Sequence, residues 1–283
     1  MIDAHVHVQP WRQVKPEALA LMKGRRTDTA HVAACMDDPA TFLRLLDAAG
    51  VERAVLVNYV SPTVIGFDVS VNEWIATYCK GHEDRLIAMG SVHPLYQKSP
   101  GAEVERLRDL GIRALKIHPP HQEFAANAYR TGEIPHLATV YGKAEQLGMP
   151  VMIHTGTSIF PHARNVFADP MVVDDVANDF PRLTLVLAHM GRPLHMETCL
   201  FLIRRFPNVY GDISSIPPAR LLHYLPRLAE FADKLCFGTD WPAPGVPSIE
   251  ANIAAVRALG LPADVLERLL HGTAARIFRL RTS

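Results

Sequence analysis

Several features that mark particular classes of protein are scarce in this sequence of 283 residues. Its four cysteines stand apart, with no Cys-x-x-Cys pair, so we interpret them as reduced, mostly buried thiols of a cytoplasmic protein. The 29 basic and 29 acidic residues cancel, which argues against nucleic acid or an anionic membrane as a partner. No apolar run approaches the ~18 residues of a membrane span, and no basic stretch leads into an apolar core as in a signal peptide.

What the sequence does contain is a regular alternation of strand-like and helix-like segments. The strand-like runs are continuously apolar, as expected of parallel strands that are buried on both faces. They are predicted at residues 1–7, 53–58, 86–92, 112–118, 151–154, 183–189, 208–213 and 235–238. Eight such units in a chain of this length predict a single α/β domain over residues 1–283, a (β/α)8 TIM barrel, which typically takes about 250 residues. A doubly wound open sheet is the alternative.

Three of the predicted connections are long: residues 9–38, 119–133 and 155–170. All three follow strand C-termini, which is the face where barrel enzymes build their sites. The first is rich in basic and aromatic side chains, among them Trp11, Arg12, Lys23, Arg25 and Arg26. It either folds over the mouth and contacts an acidic substrate, or is a solvated loop.

Five polar residues close these strands: His5, His7, His154, His189 and Asp240. A barrel brings strand C-termini together, and residues two apart in a strand point to the same side, so His5 and His7 can project together into the barrel. Imidazole and carboxylate groups suit zinc and related ions. We therefore predict one metal held by His5, His7, His154 and Asp240, with space for a water whose pKa falls towards ~7.

His189 has two candidate roles, as a further ligand or as the base that orients and deprotonates the water. The second is preferred, since a histidine titrates near neutral pH. Asp240 is expected to share this catalytic work, because a weakly ligating carboxylate can also accept a proton.

Other polar residues near the strand ends are candidates for substrate binding or support. Lys116 and His118 share one face of the fourth strand; Lys116 is a carboxylated bridge between two metals, a substrate anchor or a structural lysine. Arg192 either clamps a substrate carboxylate or forms a surface ion pair. His93 and Asp212 are candidates for supporting the ligands, and His121 and His162 lie in site-facing loops with their roles open.

Six short motifs resemble those of the amidohydrolase superfamily: DAHVH at 3–7, ALKIHP at 114–119, HTG at 154–156, AHMG at 188–191, GTDWP at 238–242 and TAAR at 273–276. They are most similar to the branch that contains aminocarboxymuconate-semialdehyde decarboxylase. The resemblance implies one divalent metal, zinc or alternatively manganese, at His5, His7, His154 and Asp240. It also implies that His189 is catalytic and that Lys116 is not a ligand.

This branch contains both hydrolases and non-oxidative decarboxylases, so fold and ligands leave the reaction open. The compact chain and the sequence Asp240-Trp241-Pro242 favour a hydrolase of a small carboxylate-bearing lactone, ester or amide. The alternative is a decarboxylase of an unsaturated or aromatic acid. A metal-binding protein without activity is a third and weaker hypothesis. A small molecule is the expected partner, with a homodimer left open.

Overall fold

The computed structural model describes residues 1–24 and 26–280, and its centre is an eight-stranded parallel barrel. The strands follow one another around it in chain order: β1 (Ile2–Val6), β2 (Arg53–Val57), β3 (Leu86–Gly90), β4 (Ala114–Ile117), β5 (Val151–His154), β6 (Leu185–Ala188), β7 (Val209–Asp212) and β8 (Leu235–Cys236). The circle closes where Ala4 N–H donates to the Phe237 carbonyl and Asp240 N–H donates to the His5 carbonyl. The predicted TIM barrel is confirmed, and the open sheet is excluded.

Helices connect successive strands and form the outer layer. They are α1 (Pro16–Lys23), α2 (Thr29–Asp37), α3 (Pro39–Ala48), α4 (Val71–Cys79), α5 (Pro100–Asp109), α6 (Pro119–Gln122), α7 (His136–Leu147), α8 (Val173–Asp179), α9 (Met196–Arg205), α10 (Pro218–Tyr224), α11 (Ile249–Arg257), α12 (Ala263–Glu267) and α13 (Thr273–Ile277). None of the helices in the part of the chain that is described has the length and apolarity needed to cross a bilayer.

Alternate residues of each strand contribute to two separate apolar clusters, as the period of two requires. Leu115 and Ile117 of β4 pack outward against the helices, whereas Ala114 faces the barrel interior. Ile277 and Phe278, at the end of α13, belong to the interior cluster and fill one end of the barrel. Apolar side chains therefore fill this end of the barrel, and the polar residues of the candidate site lie at the opposite end, where the strands finish.

The first strand is irregular at the point where it carries its two histidines. Its pairing register with β2 shifts between Asp3 and Val6. Ile2 and Ala4 belong to the interior cluster, yet Val6 packs outward. Strict alternation would point His5 away from the side of Ile2 and Ala4. Because of the register shift, His5 lies on the same inner side as these two residues.

One predicted segment differs from the structure. The 9–38 connection is not a plain loop, because it contains α1 and α2; Arg25 lies outside the described residues. The connection between β7 and β8 is helical in two separate pieces, since α10 stops at Tyr224 and a 3-10 turn follows at Leu228–Phe231. Pro226 lies in the gap, and a proline removes a helical hydrogen bond and disfavours helical geometry in the residue before it.

The loops after β5 and β6 touch at a glycine. Gly156 has φ +92°, and a Cβ added there would overlap the backbone nitrogen and carbonyl oxygen of Arg192. Since Arg192 follows the predicted catalytic His189, this close approach fixes the spacing of two loops that face the site.

We expect Gly156→Ala to destabilise the fold more than Gly81→Ala. Gly81 also has positive φ, +83°, but has open space around it, so its replacement adds only the backbone penalty of about 1–2 kcal/mol. Overlap with backbone should add about 2 kcal/mol at Gly156, which corresponds to roughly 4–8 °C in a domain of this size. Thermal unfolding followed by circular dichroism measures both, and equal shifts would show that the loops can separate freely.

Candidate metal centre

The structure brings together all five residues predicted at the strand ends. His5 Nε2 lies 3.2 Å from His7 Nε2, and Asp240 Oδ1 lies 3.0 Å from His7 Nε2 and 3.5 Å from His5 Nε2. The ring of His189 is centred 4.9 Å from that of His5 and 4.8 Å from that of His154. Apart from the part-buried His7, these side chains are buried.

The proton on His5 is placed by Asp212, at the end of β7. Asp212 Oδ2 lies 2.5 Å from His5 Nδ1, and Ser214 donates to the same carboxyl through both its hydroxyl and its backbone N–H. Burial raises the pKa of Asp212, but three donors converge on its oxygens, so it acts as an acceptor. His5 therefore carries its proton on Nδ1 and leaves Nε2 with a free lone pair.

His7 has the same arrangement with a different partner. Its Nδ1 lies 3.0 Å from the carbonyl oxygen of Val57, which can only accept. Gln9 Nε2 is also 3.1 Å from this nitrogen, but an amide can present either its oxygen or its nitrogen. Val57 therefore decides the proton position, and the Nε2 of His7 also bears a lone pair.

Two lone pairs and a carboxylate oxygen thus converge within 3.5 Å of one another with no proton between the nitrogens. Such groups repel unless a cation lies among them, and metal-binding histidines usually donate the proton of the nitrogen that faces away from the metal to a hydrogen-bond acceptor. His154 adds a buried Nε2 without a hydrogen-bond partner among the described residues. The donor set fits a divalent ion with nitrogen and oxygen ligands.

His189 is oriented by Ser214, which the sequence did not single out. His189 Nδ1 lies 3.2 Å from the Ser214 carbonyl oxygen and 2.9 Å from its hydroxyl. The proton is therefore on Nδ1, and Nε2 is left unprotonated. Burial lowers the pKa of His189 to about 3, so the ring is neutral and its Nε2 offers a lone pair, but this pKa lies below the near-neutral value on which the preference for a base rested. This geometry suits both candidate roles, base and further ligand.

Asp240 is fixed by a second serine that the sequence did not reveal. Ser215 donates to Asp240 Oδ2 at 2.5 Å, which leaves Oδ1 for His5 and His7. Because the Ser215 hydroxyl donates to it, Asp240 is a carboxylate that can bind a metal ion or accept a proton.

The cluster opens into a cavity of about 120 Å³. Two basic side chains line it: Lys116, which is fully buried with no partner for Nζ, and Arg192, whose Nε is also unpartnered among the described residues. Burial lowers the pKa of Lys116 to about 8, which still leaves it mainly protonated at neutral pH. No carboxylate among the described residues forms an ion pair with Lys116. The hypothesis of a structural lysine paired with a carboxylate is thus not supported.

A stack of imidazoles forms one wall of the cavity. The ring of His118 lies between His121, 3.6 Å away, and His154, 3.8 Å away. His93 is not among the lining residues and packs edge-on against Tyr96, whereas His162 is exposed. His118 and His121 therefore line the cavity, whereas His93 and His162 do not.

The basic connection at 9–38 contributes little charge to this cavity. Gln9 and Met22 line it, but Arg12 is 90% exposed and lies near Asp37. Arg26 is held by Asp28 and the Val246 carbonyl. The segment therefore forms part of the wall, while these two arginines are engaged elsewhere.

A TIM barrel with such a cluster at its strand ends is typical of metal-dependent enzymes, and the family comparison agrees with this class. The chain belongs to the amidohydrolase family, whose model matches residues 2–280. The protein is accordingly an enzyme of the amidohydrolase superfamily, as the motifs predicted.

Individual relatives are distant. A gamma-resorcylate decarboxylase from Rhizobium sp. (strain MTP-10005) is 24% identical over 257 residues, which cover 73% of this chain and 77% of the relative. A 5-carboxyvanillate decarboxylase from Sphingomonas paucimobilis superposes with a TM-score of 0.68 at 20% identity, covering 99% of both chains. A candidate 2-pyrone-4,6-dicarboxylic acid hydrolase from Pseudomonas putida gives 0.66 at 20% identity, covering 100% of this chain and 98% of the other.

Structures of this fold have been determined with metals. A 5-carboxyvanillate decarboxylase from Novosphingobium aromaticivorans contains manganese (TM-score 0.64, 15% identity, covering 99% of this chain and 96% of the other). An amidohydrolase from Burkholderia multivorans contains zinc (0.66, 14%, covering 99% of both chains). Both ions are consistent with nitrogen and carboxylate ligands.

Metal content and activity should separate the ligands from the base. We expect about one ion per wild-type chain, and His5→Ala and His154→Ala should lower that occupancy because each removes a ligand. His189→Ala should keep most of the metal yet lower the activity about 10²–10⁴-fold, as is typical when a general base is removed. Asp240→Ala should show both effects. Elemental analysis and turnover are measured on the same preparations.

His223→Ala is the matched control, because His223 is exposed and lies outside the cavity lining. It should leave both quantities unchanged. A metal-free His189→Ala together with a loaded His154→Ala would show that these two roles are interchanged.

Asp212→Asn should lower the affinity for the metal about 10- to 100-fold without removing a ligand, as is typical when a residue that hydrogen bonds to a metal-binding histidine is replaced. The amide no longer offers His5 a charged acceptor. Competition with a chelating indicator gives the affinity. Asp175→Asn is the control, since Asp175 accepts from Asn127 away from the site. An unchanged affinity in Asp212→Asn would mean that His5 is oriented without this carboxylate.

Proposed function

We propose that this enzyme is a metal-dependent, non-oxidative decarboxylase of an aromatic or unsaturated carboxylic acid. The observation that carries the proposal of an acid substrate is that two basic side chains, Lys116 and Arg192, line the same small cavity as His7 and Asp240 of the cluster. A cavity with a cation site and two further positive groups suits a small acid. The gamma-resorcylate decarboxylase relative supports decarboxylation in particular.

In this proposal His5, His7, His154 and Asp240 hold one divalent ion, zinc or manganese. A bound ion of this kind supplies Lewis acidity that orients and polarises substrate oxygens. Arg192 offers a guanidinium for a carboxylate, and Lys116 adds positive charge at the inner end of the cavity. Among the described residues, Lys116 Nζ and Arg192 Nε have no hydrogen-bond partner, so both atoms can donate to the acid.

The reaction exchanges a carboxylate for a proton at one carbon. The bond from that carbon to the carboxylate breaks, CO2 leaves, and the electron pair stays on the carbon and takes up the proton. The unprotonated Nε2 of His189 and the carboxylate of Asp240 are the groups placed to receive a proton and pass it on. Ser214 and Ser215 hold these two side chains in position.

Hydrolysis of a carboxylate-bearing lactone, ester or amide is the second candidate, and the sequence favoured it. The similarity to the candidate 2-pyrone-4,6-dicarboxylic acid hydrolase supports it. The comparisons support decarboxylation better, because the curated relative and the Sphingomonas paucimobilis structure both carry decarboxylase names. The compact chain is therefore a poor guide to the reaction.

Isotopes distinguish the two reactions directly. The metal-loaded enzyme is incubated with hydroxybenzoates, unsaturated acids, lactones and esters in D2O and, separately, in H2¹⁸O. Decarboxylation should release CO2 and place one deuterium on the carbon that lost it. Hydrolysis should instead place one ¹⁸O in the product, so ¹⁸O incorporation without CO2 would reject our main proposal.

A further inference from the structure

The outer part of the cavity wall contains three linked polar groups that the mechanism above does not use. Tyr59 follows β2, His121 lies on α6, and Ser158 lies in the loop after β5. All three line the cavity. The Tyr59 hydroxyl lies 3.0 Å from His121 Nδ1, and His121 Nε2 lies 2.7 Å from Ser158 Oγ. We call this chain the relay.

Counting protons shows that the relay must offer one hydrogen bond outward. Tyr59 and His121 are both buried, and no carboxylate among the described residues hydrogen bonds to either side chain. The imidazole is therefore neutral with one N–H, and both hydroxyls keep their protons. Three protons serve two internal hydrogen bonds, so one proton remains at an end of the relay.

The two tautomers of His121 decide which end carries it. If Tyr59 donates to Nδ1, then Nε2–H donates to Ser158, whose own proton is left for the cavity. In the other tautomer Nδ1–H donates to Tyr59, Ser158 donates to Nε2, and the tyrosine proton is free. Each state presents a donor at one end and an acceptor at the other.

Neighbouring contacts hold the Ser158 end in place. Phe160 N–H donates to Ser158 Oγ at 3.2 Å, and Asn165 hydrogen bonds both the N–H and the carbonyl of Ser158. In the tautomer in which His121 Nε2–H donates to Ser158, both lone pairs of the serine oxygen are engaged. The hydroxyl proton then has no acceptor among the described residues and points to a ligand or water.

The relay borders the candidate metal cluster and shares no residue with it. The ring of His118 separates His121 from His154, and the centroids of those two outer rings are 6.4 Å apart. Tyr59 packs edge-on against His7, with ring centroids also 6.4 Å apart. The charged groups that line the cavity, Lys116, Arg192 and Asp240, are not members of the relay. It is therefore a neutral subsite, suited to an uncharged group that can both donate and accept.

We propose that the relay of Tyr59, His121 and Ser158 binds a phenolic hydroxyl substituent of the substrate, away from the carboxylate that is lost. A hydroxyl matches both tautomers because it is donor and acceptor at once, whereas a carbonyl or carboxylate oxygen matches only the donor end. This rests on the proposed function, since it takes the substrate to be an aromatic acid. The relay residues are positioned to determine which ring is accepted.

Equilibrium binding to the metal-loaded enzyme tests this without requiring turnover. Benzoate, 3-hydroxybenzoate and 4-hydroxybenzoate are the probes, and calorimetry gives their Kd values. At least one hydroxybenzoate should bind about tenfold more tightly than benzoate, the usual value of a hydrogen bond that also satisfies a polar site. Ser158→Ala and Tyr59→Phe should each reduce that ratio to about one.

The double variant should lose no more than either single variant, because the three groups act as one unit. Ser61→Ala is the matched control. Ser61 donates to the backbone carbonyl of the same His121 but does not line the cavity, so the ratio should stay near tenfold. Ser158 is partly exposed, so its replacement keeps the test open if Tyr59→Phe does not fold.

A ratio near one in the wild type, a ratio unchanged in Ser158→Ala, or no binding of any probe would overturn the relay proposal. Hydroxyl preference without CO2 release in the isotope experiment would contradict the decarboxylase alone. CO2 release without hydroxyl preference would contradict the relay alone.

Discussion

The site depends on a repulsion that the fold maintains. His5 and His7 direct unprotonated nitrogens at each other across 3.2 Å, with a carboxylate oxygen of Asp240 beside them. Each imidazole could relieve this by moving its proton to Nε2, but Asp212 and the Val57 carbonyl hold the protons on the opposite nitrogens. A buried group that lacks its counterpart is costly, and a cation among these three atoms would remove that cost, which is why the cluster is a candidate metal site.

The barrel supplies the rigidity that such an arrangement needs. The candidate ligands lie on β1, at the end of β5 and just after β8, and Asp212 ends β7. Hydrogen bonds between neighbouring parallel strands keep these ends in register, while α13 fills the far end with apolar side chains. Because four separate strands contribute, no single loop can relax the cluster, and rigid elements hold functional groups more accurately than loops do.

How much of this could be predicted follows from the range of the interactions. Strand ends that finish in His154, His189 and Asp240 are local patterns, and a barrel is enough to bring them together. The role of Ser214 depends on contacts with His5 and His189, 209 and 25 residues away in sequence. No local pattern marks a serine for such a role. The register shift in β1 is likewise set by pairing with β2, not by the five residues of the strand.

The same distinction explains why the reaction was harder to predict than the candidate metal ligands. The candidate ligands are particular side chains at strand ends, so a local sequence pattern marks them. The choice between hydrolysis and decarboxylation depends on the side chains that line the cavity, where Arg192 comes from one loop and Ser158 from another. Positive charge near the cluster favours an acid whatever the reaction, so the neutral groups further out are the ones that can distinguish one acid from another. In the proposed enzyme the strand-end cluster sets what chemistry is accessible, and loop residues that line the cavity determine which molecule undergoes it.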